Sequence, residues 1–253
     1  MDHRQGAVAE LTAERRVSAA ALRVKVFADG ADLDGIRRLA ADPLIKGFTT
    51  NPTLMRKAGV ADYARFGRDV LEVVPDRPVS FEVFSDDPPE MERQARLIAS
   101  WGDNVYVKVP VTDTHGTPTA NLLRRLSVAG VQLNVTGLTL ISQVEQVAAC
   151  LEGEVAAVVS VFAGRIADTG VDPLPVMSEA LDVLSSSPRT ELLWASPREI
   201  LNVVQADQIG CHIITVTHDL LKKVDLLGYD LGTMSLDTVR MFHEDARAAG
   251  FTL

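Results

Sequence analysis

The sequence predicts a single (β/α)8 barrel, and two observations carry that reading. From Arg23 onward a short apolar run alternates eight times with a longer segment of helical spacing. The length of 253 residues also suits one such barrel, which commonly takes about 250. The apolar runs are 24–28, 47–50, 79–84, 105–109, 131–135, 156–160, 192–195 and 213–216, recurring on the order of every 27 residues, the length of one βα unit. They are apolar almost throughout, as parallel strands covered on both faces should be. Between them, 33–41, 52–74, 88–101, 119–129, 140–151, 175–184, 197–206 and 218–227 read as helices. Pro52, Pro88 and Pro197 sit where a first helical turn favours proline. A doubly wound open sheet shares this alternation, because sequence does not display closure. It is disfavoured by the lack of a G-x-G-x-x-G turn or a Walker loop.

Residues 1–20 mix charges with small residues and read as an extension ahead of a barrel domain spanning 21–253. That domain includes an extra C-terminal helix over 236–249, whose stripe of Val239, Phe242, Ala246 and Ala249 caps the barrel or docks on another subunit.

Composition excludes several functions. Hydrophobic residues make up 47% of the chain, enough for a large core. The net charge of −9 offers no general field for nucleic acid or an anionic membrane, so an anionic substrate needs local basic residues. No apolar stretch approaches the roughly 20 residues of a bilayer span, and the N-terminus lacks a signal-peptide core. Cys150 and Cys211 are isolated, and the histidines, His115, His212 and His218 among them, show no ligand spacing. The expectation is a cytoplasmic protein that needs no metal.

Barrel chemistry lies at the C-terminal strand ends. There the sequence puts Asp29, Asn51, Glu82, Lys108, Asn134, Thr136, Ser160, Arg165, Ser196 and Arg198. In 105–110 the period of two sets Tyr106 and Lys108 on one face and the valines on the other. Burial disfavours the ammonium form, and a neutral amine is what carbonyl attack requires. Lys108 is therefore either a nucleophile or a lysine that snorkels to the mouth or pairs with Glu82. Glu82 reads as a general acid/base, as a structural partner of Lys108, or as both. Asp29 is functional or caps the next helix, with Asp32 the better cap. Arg165 and Arg198 are surface charges or a phosphate clamp, the reading that an acidic protein favours. Asn134-Val135-Thr136 also matches a glycosylation pattern, which a strand interior disfavours.

Six motifs, in order, resemble the transaldolases and their fructose-6-phosphate aldolase relatives: Phe27-Ala28-Asp29, Thr49-Thr50-Asn51-Pro52-Thr53, Val107-Lys108-Val109-Pro110, Asn134-Val135-Thr136, Ser160-Val161-Phe162-Ala163-Gly164-Arg165 and Ala195-Ser196. The resemblance implies class I aldolase chemistry on a (β/α)8 barrel, with Lys108 as the Schiff-base lysine. It implies Asp29 as the base for carbon–carbon cleavage, and Glu82 and Thr136 as holders of a water. Asn51, Asn134 and Ser160 would bind substrate, Phe162 and Ser196 would line the site, and Arg165 and Arg198 would grip the sugar phosphate. It further implies a homo-oligomer and no cofactor. The aldolases look different at two positions, with glutamine at Glu82 and tyrosine at Phe162, so this chain has the transaldolase choice at both. The segment after Ala195-Ser196 is read as about three residues short of the family pattern, which leaves the reach of Arg198 open.

Overall fold

The computed structural model describes residues 18–151 and 153–252, so nearly all of the expected N-terminal extension lies outside the described residues. The described residues group into two compact units, 22–222 and 18–21 with 223–252. The larger unit is a closed barrel of eight strands in chain order. They are β1 (Lys25–Asp29), β2 (Ile45–Thr49), β3 (Val79–Glu82), β4 (Val105–Pro110), β5 (Leu133–Leu138), β6 (Ala157–Val161), β7 (Thr190–Trp194) and β8 (Ile213–Thr217). Every neighbouring pair is parallel, and β8 pairs with β1, which rules out the open sheet.

The helices of this unit are α1 (Leu33–Ala40), α2 (Pro52–Lys57), α3 (Tyr63–Val73), α4 (Pro88–Ala99), α5 (Ala120–Val128), α6 (Ile141–Ala148), α7 (Ala163–Asp168), α8 (Pro173–Leu184), α9 (Leu201–Gln208) and α10 (His218–Leu221). Several helix expectations need correction, among them 218–227, where α10 stops at Leu221. The helix expected over 52–74 is two helices, because Gly59 takes a left-handed φ of 71° that ends the first. Pro197 starts no helix: Ser196 is itself left-handed, and α9 begins only at Leu201. Pro173 opens α8 instead, behind the capping carboxylate of Asp172. The short α7 had no counterpart in the sequence reading.

Two apolar clusters hold the barrel. The larger joins the outer strand faces to the helices through residues such as Ile36, Phe81, Met91, Leu126 and Met177. The smaller consists of Phe27, Val158, Leu193, Ala195 and Ile213, with Tyr106 and Phe162 packed on it. Since side chains alternate along a strand, Phe27, Tyr106, Val158 and Ile213 each lie beneath a polar residue two positions on: Asp29, Lys108, Ser160 and Thr215. An apolar plug thus fills the barrel under its polar floor.

In the smaller unit, α11 (Leu231–Ala248) begins ahead of the expected start at Leu236 because Asp230 caps it, accepting from the Thr233 N–H at 2.9 Å. No residue of α11 is buried, and Leu231, Leu236, Val239 and Phe242 are exposed.

Gly47 tests the plug. A Cβ there would stand 2.5 Å from the buried Phe27 ring. Gly47→Ala should lower unfolding stability by about 1–3 kcal/mol through overpacking, read as a lower denaturant midpoint at unchanged slope.

Candidate active site

A cavity of about 540 Å³ lies at the C-terminal ends of the strands. Every residue expected there from the sequence lines it: Asp29, Asn51, Glu82, Lys108, Asn134, Thr136, Ser160, Phe162, Arg165, Ser196 and Arg198.

Glu82 and Lys108 are register partners on β3 and β4. The Lys108 Nζ stands 3.0 Å from Glu82 Oε2 and donates to the Thr50 carbonyl at 2.9 Å. Lys108 is only 7% exposed, so the pairing reading holds and the snorkelling one does not. A lone buried ammonium would be costly, and the carboxylate offsets that cost. Glu82 is fixed in turn by Tyr63, whose hydroxyl donates to the Glu82 carbonyl and accepts from its N–H, both at 2.8 Å. Burial raises the Tyr63 pKa, keeping that hydroxyl a donor.

Asp29 accepts from Thr49 Oγ1 at 2.8 Å, and Thr49 Oγ1 lies 2.5 Å from Thr215 Oγ1. Burial raises the Asp29 pKa, opposed by the Lys108 charge and the Thr49 hydrogen bond. Asp29 does not cap α1; Asp32 does, accepting from the Gly35 N–H at 2.9 Å. Asn51 serves two elements. Its Oδ1 caps α2 by accepting from the Leu54 N–H at 2.9 Å, which leaves Nδ2 facing Asp29 Oδ2 at 3.5 Å. Because only oxygen can accept from that N–H, the cap fixes the amide orientation.

On the other wall, Asn134 accepts from Ser160 Oγ at 2.6 Å and donates to Ser80 Oγ at 3.0 Å. At 1% exposure it is closed to glycosylation. The buried Thr136 Oγ1 has no hydrogen-bond partner among the described residues. Ser196 holds the left-handed conformation at φ 57°. A Cβ on Gly164 would lie 1.5 Å from the Ser196 carbonyl oxygen, so α7 abuts the β7 loop only because residue 164 is glycine. Arg198 and Arg165 both line the cavity, and Arg198 binds the Asp168 carboxylate in a fork, Nε to Oδ1 at 2.9 Å and Nη2 to the second oxygen.

Sequence reasoning missed Thr49, Thr215, Lys57 and Asp168. In the sequence Thr49 is only part of a motif and Thr215 only part of an apolar run, yet with Asp29 they form a hydrogen-bonded chain across β1, β2 and β8. Lys57 lines the cavity from the last turn of α2, within the first turns of the single helix that the sequence predicts over 52–74. Among the described residues no group of three or more His, Cys, Asp and Glu is placed to hold a metal ion. His212 accepts from the Leu192 N–H at 2.9 Å, and His218 packs where a Cβ on Gly30 or Gly35 would stand.

A closed parallel barrel with a lysine–carboxylate pair at its rim defines a class of enzyme scaffold, and comparison with known proteins specifies it. The transaldolase/fructose-6-phosphate aldolase family matches residues 26–253. A probable transaldolase of Thermoanaerobacter sp. (strain X514) is 33% identical over 232 residues, covering 91% of this chain and 100% of that one. One of Dehalococcoides mccartyi is 33% identical over 202 residues, covering 79% and 90%. This chain belongs to the transaldolase/fructose-6-phosphate aldolase family, and it is an enzyme of the aldolase/transaldolase type. Solved structures agree on the fold alone. An HpcH/HpaI aldolase from Desulfitobacterium hafniense superposes with a TM-score of 0.56 at 10% identity, covering 92% of this chain and 97% of that one. KGPDC from Streptococcus mutans superposes with a TM-score of 0.55 at 8% identity, covering 81% and 93%.

The buried Asp29 yields a stability prediction. A carboxyl whose folded pKa is raised makes its full contribution below the unfolded value, and that contribution is lost as pH rises through the folded one. Asp29→Asn removes this loss. The variant should melt above the parent at about pH 7, and the difference should close toward about pH 3, as followed by calorimetry.

Proposed function

We propose that the protein is a transaldolase, moving a dihydroxyacetone unit from a ketose phosphate to an aldose phosphate through a Schiff base on Lys108. The observation that carries this reading is the Lys108–Glu82 pair, 3.0 Å apart and facing the cavity that Asp29 also lines. Lys108 reaches the cavity as a paired ammonium, so it passes a proton to Glu82 before its nitrogen attacks the ketose carbonyl. The carbinolamine then loses water. Glu82 supplies the proton that leaves with it, through a water held by the unpaired Thr136 hydroxyl. The protonated imine draws electrons from the bond between C3 and C4 while Asp29 takes the proton of the C4 hydroxyl. That step releases an aldose phosphate and leaves an enamine on Lys108. An aldehyde acceptor takes the enamine carbon and recovers the proton from Asp29, and hydrolysis frees the new ketose phosphate. The raised Asp29 pKa suits a group that both accepts and returns a proton.

Asn51, with its amide held toward Asp29, and the Asn134–Ser160 pair would orient the substrate hydroxyls and the three-carbon unit. Phe162 and Ser196 would shape the walls, while Arg165 and Arg198 would bind the phosphate. Glu82 and Phe162 support transfer over plain aldol cleavage, which would protonate the enamine and release free dihydroxyacetone. We place this enzyme in the cytoplasm. We also propose that it is a homo-oligomer, supported by the exposed Leu236, Val239 and Phe242 on α11.

With fructose 6-phosphate as donor, product should form only when an aldose phosphate such as erythrose 4-phosphate is present. A coupled assay for free dihydroxyacetone should stay at background. Glu82→Gln should lower kcat for transfer by about 10²–10⁴-fold. Steady dihydroxyacetone release without acceptor would identify an aldolase instead, and ligand binding without turnover of any ketose phosphate would identify a silent barrel. Light scattering should give a mass that is a multiple of the 27.3 kDa protomer.

A further inference from the structure

The sugar-phosphate reading assigns Arg165 and Arg198 to the phosphate but leaves open how Arg198 is held. Its own segment provides little support for the side chain. The preceding Ser196 is left-handed, Pro197 offers no N–H, and the Arg198 and Glu199 amides are held by Asn202 Oδ1 at 2.8 and 3.2 Å. These bonds fix the backbone and leave a long, half-exposed guanidinium to be placed by something else. That partner lies on another element. Asp168, the last residue of α7, takes the Nε–Nη2 edge of Arg198 in a two-bond fork, with Nε to Oδ1 at 2.9 Å. Arg165 is one turn earlier on the same short helix, so both cations of the clamp are referred to α7.

The close approach of the two segments is built into the backbone. The Gly164 N–H donates to the Ala195 carbonyl at 3.3 Å, and the Ser196 carbonyl occupies the volume of a side chain at position 164. A guanidinium has five donors in a rigid plane. The fork with Asp168 uses one edge, leaving the Nη1 side for a second anion. Arg165 adds to the field at Asp168, whose pKa is lowered by the Arg198 hydrogen bonds first and by both arginine charges after.

We propose that Asp168 is a positioning residue that holds Arg198 edge-on, so that its free edge and Arg165 together grip the phosphate of the sugar substrate. An exposed ion pair that served only as a surface contact would contribute little to stability and nothing to substrate affinity. A positioning carboxylate acts on the phosphorylated substrate alone, and only through Arg198. The proposal rests on the sugar-phosphate reading, and the test separates the two.

The experiment is a double-mutant cycle of Asp168→Asn, Arg198→Ala and the pair, in the full-length enzyme, with fructose 6-phosphate and unphosphorylated fructose as donors and erythrose 4-phosphate in constant excess. The isosteric Asp168→Asn should raise KM for fructose 6-phosphate by about ten-fold while kcat falls less than about two-fold, the pattern of lost ground-state binding. In the Arg198→Ala background it should add less than about two-fold to KM, because the group it positions is gone. Turnover of unphosphorylated fructose should not respond to Asp168→Asn. An unchanged KM in the single variant, or an equal increase in both backgrounds, would overturn the positioning role while leaving the phosphate reading intact. A separate Arg165→Ala variant completes the set: if it and Arg198→Ala both leave KM for fructose 6-phosphate unchanged, the phosphate reading itself falls and the positioning role with it.

Discussion

A lysine ammonium inside a barrel of valines is stable only with a counter-charge at hand, and the parallel register of β3 and β4 supplies one by setting Glu82 beside Lys108. The surrounding architecture makes that pair permissible. The Thr50 carbonyl takes a second ammonium proton, and Tyr63 clamps the Glu82 backbone from α3. Beneath the pair, the plug of Phe27, Tyr106, Val158, Leu193 and Ile213 fills the barrel. Buried carboxylate and ammonium therefore have one open direction, toward the cavity, where proton exchange between them would turn a structural pair into a nucleophile and an acid.

The remaining polar residues divide into groups with different physical tasks. Thr215, Thr49 and Asp29 form a hydrogen-bonded chain on one wall, ending in a carboxyl whose burial favours its protonated form. Ser80, Asn134 and Ser160 form a second chain on the opposite wall, with both ends of the amide engaged. Fixed groups of this kind are pre-organised for a ligand without a cost in side-chain entropy at binding. The exposed basic side belongs to α7 and the β7 loop, joined where Gly164 admits the Ser196 carbonyl. In an acidic chain with a net charge of −9, Arg165 and Arg198 bring local basic groups to this part of the rim.

Much of this was legible in the sequence because strands and their ends obey a short-range rule. A period of two marked Lys108 and Tyr106 as one face, and a polar residue at each apolar run's end marked the rim. What was not legible depends on neighbours distant in the chain. The break at Gly59 was hidden because Tyr63 and Phe66 continue an apolar stripe across it. The short α7 has six residues, too few for a periodic signal, and Pro197 imitates a helix start that the left-handed Ser196 prevents. Thr49, Thr215 and Asp168 look ordinary alone and gain roles only from partners that the barrel brings near, up to 166 positions away for the two threonines.

The proposed Schiff base is a covalent bond between Lys108 and a ketose. Borohydride reduction of the enzyme with fructose 6-phosphate, followed by peptide mass spectrometry, tests it most directly. A reduced three-carbon adduct should form on Lys108 and diminish when an aldose phosphate acceptor is added before the reductant. An adduct confined to another lysine, or none with any ketose phosphate that the enzyme turns over, would contradict it.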